Sequence, residues 1–262
     1  MTRKPDAVVT GEEPVSALAG LIPPKIAALL ERRGFHVLRP CQVKAIRAGL
    51  FTDQNLLVCT PTASGKTLVG ELAALNGILH DKGKAVYVVP LRALASEKYR
   101  AFRKDYPDLN VAGRTADLDE GSDNRIADAD LIIVTSEKLD SLLRHKAEWV
   151  RRVKTLIVDE IHLLNDAGRG PVLEVVLTII RTTLPAVQVI GLSATVGNRV
   201  ELAAWLNAEL VEDAWRPVRL DRGVYRDGQI VFPDAPEGAA GERAERERSP
   251  DAPQERSEHE PQ

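Results

Sequence analysis

The chain has 262 residues, 44% of them apolar, enough for one large core or two small ones. Its net charge of −3 conceals a split: nine acids and four arginines fall in residues 233–262, so residues 1–232 carry +2, which removes acidity as an objection to a nucleic-acid partner without arguing for one. Cys41 and Cys59 show neither metal spacing nor a disulfide framework, and no apolar run can span a bilayer, which excludes disulfide-stapled and helical membrane classes and points to a reducing cytoplasm.

Residues 1–20 are polar and punctuated by Gly and Pro, a loose lead-in whose first residues lack the apolar segment of a secretion signal. Pro23-Pro24 opens a helix with Ile26, Leu29 and Leu30 on one face, and Gly34 ends it. A second helix starts near Pro40 and carries Val43, Ile46 and Leu50. Gln42 lies in its first turn and reads equally as a solvated glutamine or as part of a site.

Next comes Leu56-Leu57-Val58-Cys59, a short apolar strand, then Pro61-Thr62-Ala63-Ser64-Gly65-Lys66-Thr67, then a helical pattern through Leu68, Val69, Leu72, Ala73, Leu75 and Leu79. Strand, small-residue loop and helix form the context of a phosphate-binding loop. Backbone N–H groups of such a loop make an anion nest, and the helix adds its unpaired N-terminal N–H groups and dipole. Lys66 brings a mobile positive charge to the outer phosphates, and the Thr67 hydroxyl can ligate magnesium. A glycine expected at position 60 by the general pattern is replaced by Thr60. Ala63 keeps the N–H that phosphate needs, although alanine tolerates positive φ less well than glycine.

Strands and helices then alternate. Ala85–Val89 is a buried strand ending at Pro90, before a helix that begins in Leu91-Arg92-Ala93-Leu94. Asn110–Ala112 is a weaker strand. Leu131–Val134 is a strong one, followed by Thr135-Ser136 and the spacing Leu139, Leu142, Leu143. Thr155–Val158 precedes Asp159-Glu160-Ile161-His162, a buried helix runs from Val172 to Leu184, and Val187–Leu192 is the last core strand, before Ser193-Ala194-Thr195. Leu202, Ala203, Trp205 and Leu206 mark a further helix. The alternation predicts an α/β fold with a mostly parallel sheet and helices on both faces. Ligands bind such sheets beyond the C-terminal strand ends, where each of these polar clusters falls.

Asp159 leaves a buried strand, so it projects toward a nucleotide on the loop and can hold magnesium, usually through water. Glu160 beside it can orient and deprotonate an attacking water. His162 and Ser193-Ala194-Thr195 taken singly read as a satisfied polar group and a turn or cap. After Trp215, residues Val218 to Val224 and Gln229 to Phe232 predict a hairpin turned by Arg226-Asp227-Gly228. Beyond Phe232 the composition cannot bury enough surface to fold.

The ordered series Gln42, PTASGKT (61–67), PLRALASEK (90–98), TSEKLDSLLR (135–144), DEIH (159–162) and SAT (193–195), with GRGPVLE (168–174) and WRPVRLDRGVY (215–225), carries a resemblance. It resembles the first RecA-like lobe of the superfamily-two DExH-box helicases, in the Ski-like group, nearest the archaeal DNA repair helicases, over roughly residues 20–232. Those helicases use the PT-[GA]-SGKT form of the loop. The resemblance implies a RecA-like P-loop NTPase lobe at 21–213, a β-hairpin exit segment at 214–232, and a disordered charged tail at 233–262 after the 1–20 lead-in.

By position, it implies that Gln42 reads adenine, that Pro61 to Thr67 hold the phosphates of ATP, and that Thr67 and Asp159 hold Mg2+. Lys66, Asp159 and Glu160 carry the catalysis. His162, Ser193 and Thr195 couple hydrolysis to movement, while Arg92, Thr135, Ser136 and Arg169 meet single-stranded DNA, with RNA as the alternative. The polarity it implies is 3'-5'. Thr115-Ala116-Asp117-Leu118-Asp119 departs from the family's Thr-Gly-Asp-Tyr-Asp element, so no nucleic-acid contact is assigned there. The family continues into a second RecA-like lobe that supplies an arginine finger worth roughly 10³–10⁵ in rate. This sequence is expected to be a truncated lobe, weak or inactive unless a second lobe acts in trans. A non-enzymatic fragment that binds nucleotide or nucleic acid is the remaining alternative.

Overall fold

The computed structural model describes residues 11–80, 83–113, 123–145, 148–194, 196–218, 223–226 and 229–231. In chain order the elements are β1 (Glu13–Pro14), α1 (Pro24–Arg32), β2 (Val37–Leu38), α2 (Pro40–Arg47), β3 (Leu56–Cys59), α3 (Lys66–Leu79), β4 (Lys84–Val88) and α4 (Arg92–Asp105). There follow β5 (Val111–Ala112), α5 (Asp123–Asp128), β6 (Leu131–Val134), α6 (Ser136–Arg144), β7 (Val153–Val158), α7 (Gly170–Thr183), β8 (Gln188–Ser193), α8 (Arg199–Leu206), β9 (Glu209–Glu212), β10 (Val224–Arg226) and β11 (Gln229–Val231). Expectations for Thr115–Asp119, Asp227, Gly228, Thr195 and the tail lie outside the described residues.

The main sheet has seven strands in the order β5-β6-β4-β7-β8-β3-β9, and every pairing in it is parallel. Its central strands are apolar at nearly every position because both faces are covered. Alternation along each strand divides the core in two. Leu56, Val58, Tyr87, Leu131, Ile133, Ile157 and Ile190 pack with α1 to α4. Leu57, Cys59, Val86, Val88, Ile132, Val134, Leu156 and Val158 pack with α5 to α8. This is the α/β sandwich expected from the alternating pattern.

All seven strands run the same way, so their C-terminal ends share one rim, and the loop between β3 and α3 lies on it. The apolar helix α3 approaches the sheet closely at Gly70. A Cβ there would meet Ile157 Cγ2 and Leu192 Cδ1 at 3.0 Å.

Three features have no counterpart in the sequence reading. β1 and β2 form a small antiparallel ribbon. The six-residue helix α5 precedes β6. β9 extends the sheet beyond β3. Among the described residues beyond Val218, which belong to a separate unit, β10 and β11 pair antiparallel, Val224 opposite Val231 and Tyr225 opposite Ile230.

Candidate nucleotide site

The loop after β3 is bent through two left-handed residues, Ala63 with φ 64° and Gly65 with φ 97°. Glycine is required at the second: a Cβ on Gly65 would meet Gln42 Nε2 at 2.5 Å. At the first, alanine accepts a conformation that costs an L-residue roughly 1–2 kcal/mol. Inside the loop, the Thr60 and Ser64 hydroxyls lie 2.7 Å apart, and Thr60 N–H donates to Ser193 O, which ties the loop to β8.

Three side chains from the start of α2 hold three successive loop carbonyls. Arg39 Nη1 donates to Ala63 O at 2.7 Å, Cys41 Sγ to Ser64 O at 3.1 Å and Gln42 Nε2 to Gly65 O at 3.0 Å. Gln42 also accepts from Arg39 N–H at 2.8 Å and is only 4% exposed. The solvated alternative for Gln42 is therefore excluded, and its amide is engaged with the loop and its own helix. Burial raises the Cys41 thiol above its ordinary range against the opposing effect of the Ser64 bond. Cys59 is pushed up to about 11 by burial and then by Glu212. Both sulfurs stay protonated and unreactive at neutral pH.

Lys66 opens α3 with its Nζ buried and without a hydrogen-bond partner among the described residues. Its nearest carboxylate is Glu160 Oε1, 3.9 Å away. An ammonium buried without an acceptor is costly, and the chemistry that satisfies it is an anion on the loop. Thr67, next in the turn, is exposed.

The acid pair stands where β7 ends. Asp159 N–H donates to Val88 O, which fixes the residue against β4. Its Oδ1 accepts from Glu160 N–H at 3.1 Å. Its Oδ2 lies 3.3 Å from Lys98 Nζ and accepts from the Tyr87 hydroxyl at 3.4 Å. Burial, then the negative charge of Asp159, holds the Tyr87 hydroxyl well above its usual range, so it remains a donor. Lys98 also lies over the Tyr87 ring, 4.6 Å from its centroid. Glu160 is itself left-handed, φ 51° and ψ 45°, a strained backbone of the kind found at functional sites.

From Glu160 the polar contacts continue. His162 Nδ1 lies 3.4 Å from Glu160 Oε2 and 3.3 Å from Ser193 Oγ. Lys66, Glu160, His162 and Ser193 are thus brought into one line across α3, β7 and β8. Thr195 lies outside the described residues. Among those described, no cluster of three His, Cys, Asp or Glu could hold a metal alone, so a hard cation at Asp159 and Thr67 would take its other ligands from phosphate and water.

The residues expected to meet nucleic acid stand on other elements. Arg92 is exposed at the first residue of α4. Thr135 and Ser136 are buried, at 8% and 7% exposure, with Thr135 capping α6 by accepting from Lys138 N–H at 3.4 Å. They stand after β4 and β6, neighbours in the sheet. Arg169 N–H donates to Asp166 Oδ1 at 2.9 Å in the turn before α7; this bond and one from Gly168 hold the Asp166 carboxyl below its usual range.

Reasoning from the sequence missed Arg39, Cys41, Tyr87 and Lys98. Arg39 and Cys41 flank Pro40 beside Gln42, and Lys98 closes the PLRALASEK stretch, so their motifs were visible while their partners were not.

Comparison with known proteins agrees with this geometry. The family model described as DEAD/DEAH box helicase matches residues 39–203. The chain is 48% identical over 212 residues to the ATP-dependent DNA helicase Hel308 of Pyrococcus horikoshii, covering 80% of this chain and 29% of that protein. It is 49% identical over 212 residues to the protein of that name from Pyrococcus abyssi, with the same coverage. For the one from Methanocaldococcus jannaschii the identity is 48% over 216 residues, covering 79% of this chain and 18% of the relative. The chain therefore spans less than a third of the length of these curated relatives.

Proposed function

We infer that this chain, which belongs to the DEAD/DEAH box helicase family, is the ATP-binding motor lobe of an ATP-dependent DNA helicase. The observation that carries this reading is the buried, unpartnered Lys66 Nζ 3.9 Å from Glu160, at the mouth of a loop with left-handed backbone at Ala63 and Gly65. ATP with Mg2+ supplies the phosphoanhydride and the cation that offsets its charge. Gly65 and Lys66 N–H groups and the α3 N-terminus hold the phosphates. Thr67 and Asp159 would hold the cation, with phosphate and water completing its ligands. Glu160 orients a water and takes its proton. His162 and Ser193 link Glu160 to the end of β8, a route by which the state of the phosphates reaches the rest of the lobe.

Arg92, Thr135, Ser136 and Arg169 are proposed to meet the sugar-phosphate backbone of single-stranded DNA, contacts that position without reading sequence. The names of the relatives favour DNA over RNA for the whole protein. The cleft's second wall, with its arginine finger, is proposed to come from a second RecA-like lobe outside these 262 residues. No helix among the described residues is long and apolar enough to cross a membrane, and the free, buried cysteines suit a reducing cytoplasm.

Steady-state ATP hydrolysis, measured with no nucleic acid, with single-stranded DNA and with single-stranded RNA, tests the reading. Weak basal hydrolysis that rises with DNA, and more when a second lobe is added, is expected. Stimulation by RNA alone would move the chain to the RNA-acting branch. No hydrolysis or nucleotide binding under any condition would leave only a structural role.

A further inference from the structure

We propose that Arg39, steadied by Trp215, is a positioning residue of the phosphate loop, so that the segment leaving the sheet sets the affinity for the nucleotide's phosphates. The proposal rests on the triphosphate reading of the same site. In a trans peptide the carbonyl and the following N–H point in opposite directions, and no described peptide bond is cis. Holding Ser64 O and Gly65 O toward α2 therefore aims the N–H groups of Gly65 and Lys66 away from α2, into the concavity where an anion nest is needed. Arg39 fixes the preceding peptide through Ala63 O, beside the strained φ of Ala63. Among the three donors, Arg39 brings the charge-assisted bond and Cys41 the weak S–H donor.

What holds Arg39 is the chain beyond β9. Its guanidinium lies over the Trp215 ring, 5.6 Å from the centroid. The Trp215 backbone is held by its main-chain N–H, which donates to Asp213 Oδ1 at 2.6 Å. One turn along α2, Lys44 Nζ donates to Glu212 O at 2.9 Å and lies 3.0 Å from Asp213 Oδ2. Residues 212–215 are thus fastened to α2 at Lys44 and Arg39, and α2 is fastened to the loop at three successive carbonyls. Movement of the exit segment must be felt at the loop through Arg39, and filling the loop must be felt at Trp215.

Equilibrium binding of Mg2+ with ATP, ADP and AMP to the full chain separates this role from direct contact with the base. For Arg39→Gln, ATP affinity is expected to fall about tenfold, ADP affinity by less, and AMP affinity hardly at all. Trp215→Ala, outside the loop, should show the same graded loss at smaller size, and Trp215→Phe should restore it. Thermal melting without nucleotide checks that each variant folds, and Trp215→Ala keeps the test open if Arg39→Gln does not. Equal losses for AMP and ATP would place the pair against the base and overturn the proposal, as would unchanged ATP affinity in Arg39→Gln. A wild-type chain that binds no ATP would remove the triphosphate reading and the proposal together, a result distinct from the first two.

Discussion

Ala63 and Glu160 both hold left-handed backbone, yet for different ends. Ala63 needs only the turn, so Ala63→Gly should stabilise the chain by about 1 kcal/mol, less the extra chain entropy of glycine. Urea unfolding checks this, and a destabilised variant would mean that the left-handed turn carries no strain. Glu160 needs its carboxylate. Glu160→Gln should keep ATP affinity while hydrolysis falls by about 10²–10⁴; loss of binding instead would assign Glu160 to phosphate or metal capture. Tyr87 gives a pH signature. Its hydroxyl ionises in the folded state only far above the unfolded value of about 10, so its contribution to stability is complete below that pH and is lost as pH rises past it. Tyr87→Phe should therefore lose less stability than the parent between about pH 9 and pH 11 by urea titration, and parallel losses would show that Tyr87 is not the group involved.

At the scale of elements, α3 depends on close approach to the sheet. Gly70→Val would drive a branched side chain into Ile157 and Leu192, which should cost about 1–3 kcal/mol or more by thermal melting; an unchanged melting temperature would contradict the packing of α3 on β7 and β8. The strands that pack on both faces were legible in the sequence, since β3, β6, β4 after Lys84 and the end of β7 are continuous apolar runs. β9 was not. It is an edge strand of sequence Glu-Leu-Val-Glu in which only Val211 is buried, and its partner β3 lies 153 residues earlier in the chain, so no local pattern announces it. The same reason hid half of the site. Lys66 at the start of α3 and Asp159 and Glu160 at the end of β7 stand in recognisable stretches, whereas Arg39 gains its role from Ala63 O and Trp215, and Lys98 from Asp159. Gln42 was half legible. Its position pointed to a site, but the bonds that bury it run to the loop and to its own helix turn.

At the scale of the molecule, one sheet whose strands all run parallel gathers the phosphate loop, the acid pair and the Ser193 end on one rim. Everything else proposed for the chain depends on Lys66 and the Asp159-Glu160 pair serving the same triphosphate. Equilibrium binding of ATP to the parent chain and to Lys66→Ala, with and without Mg2+, addresses that directly. Magnesium-dependent binding that Lys66→Ala weakens by about 100-fold or more is the expected result. Equal affinity in the two proteins, or binding indifferent to magnesium, would contradict it.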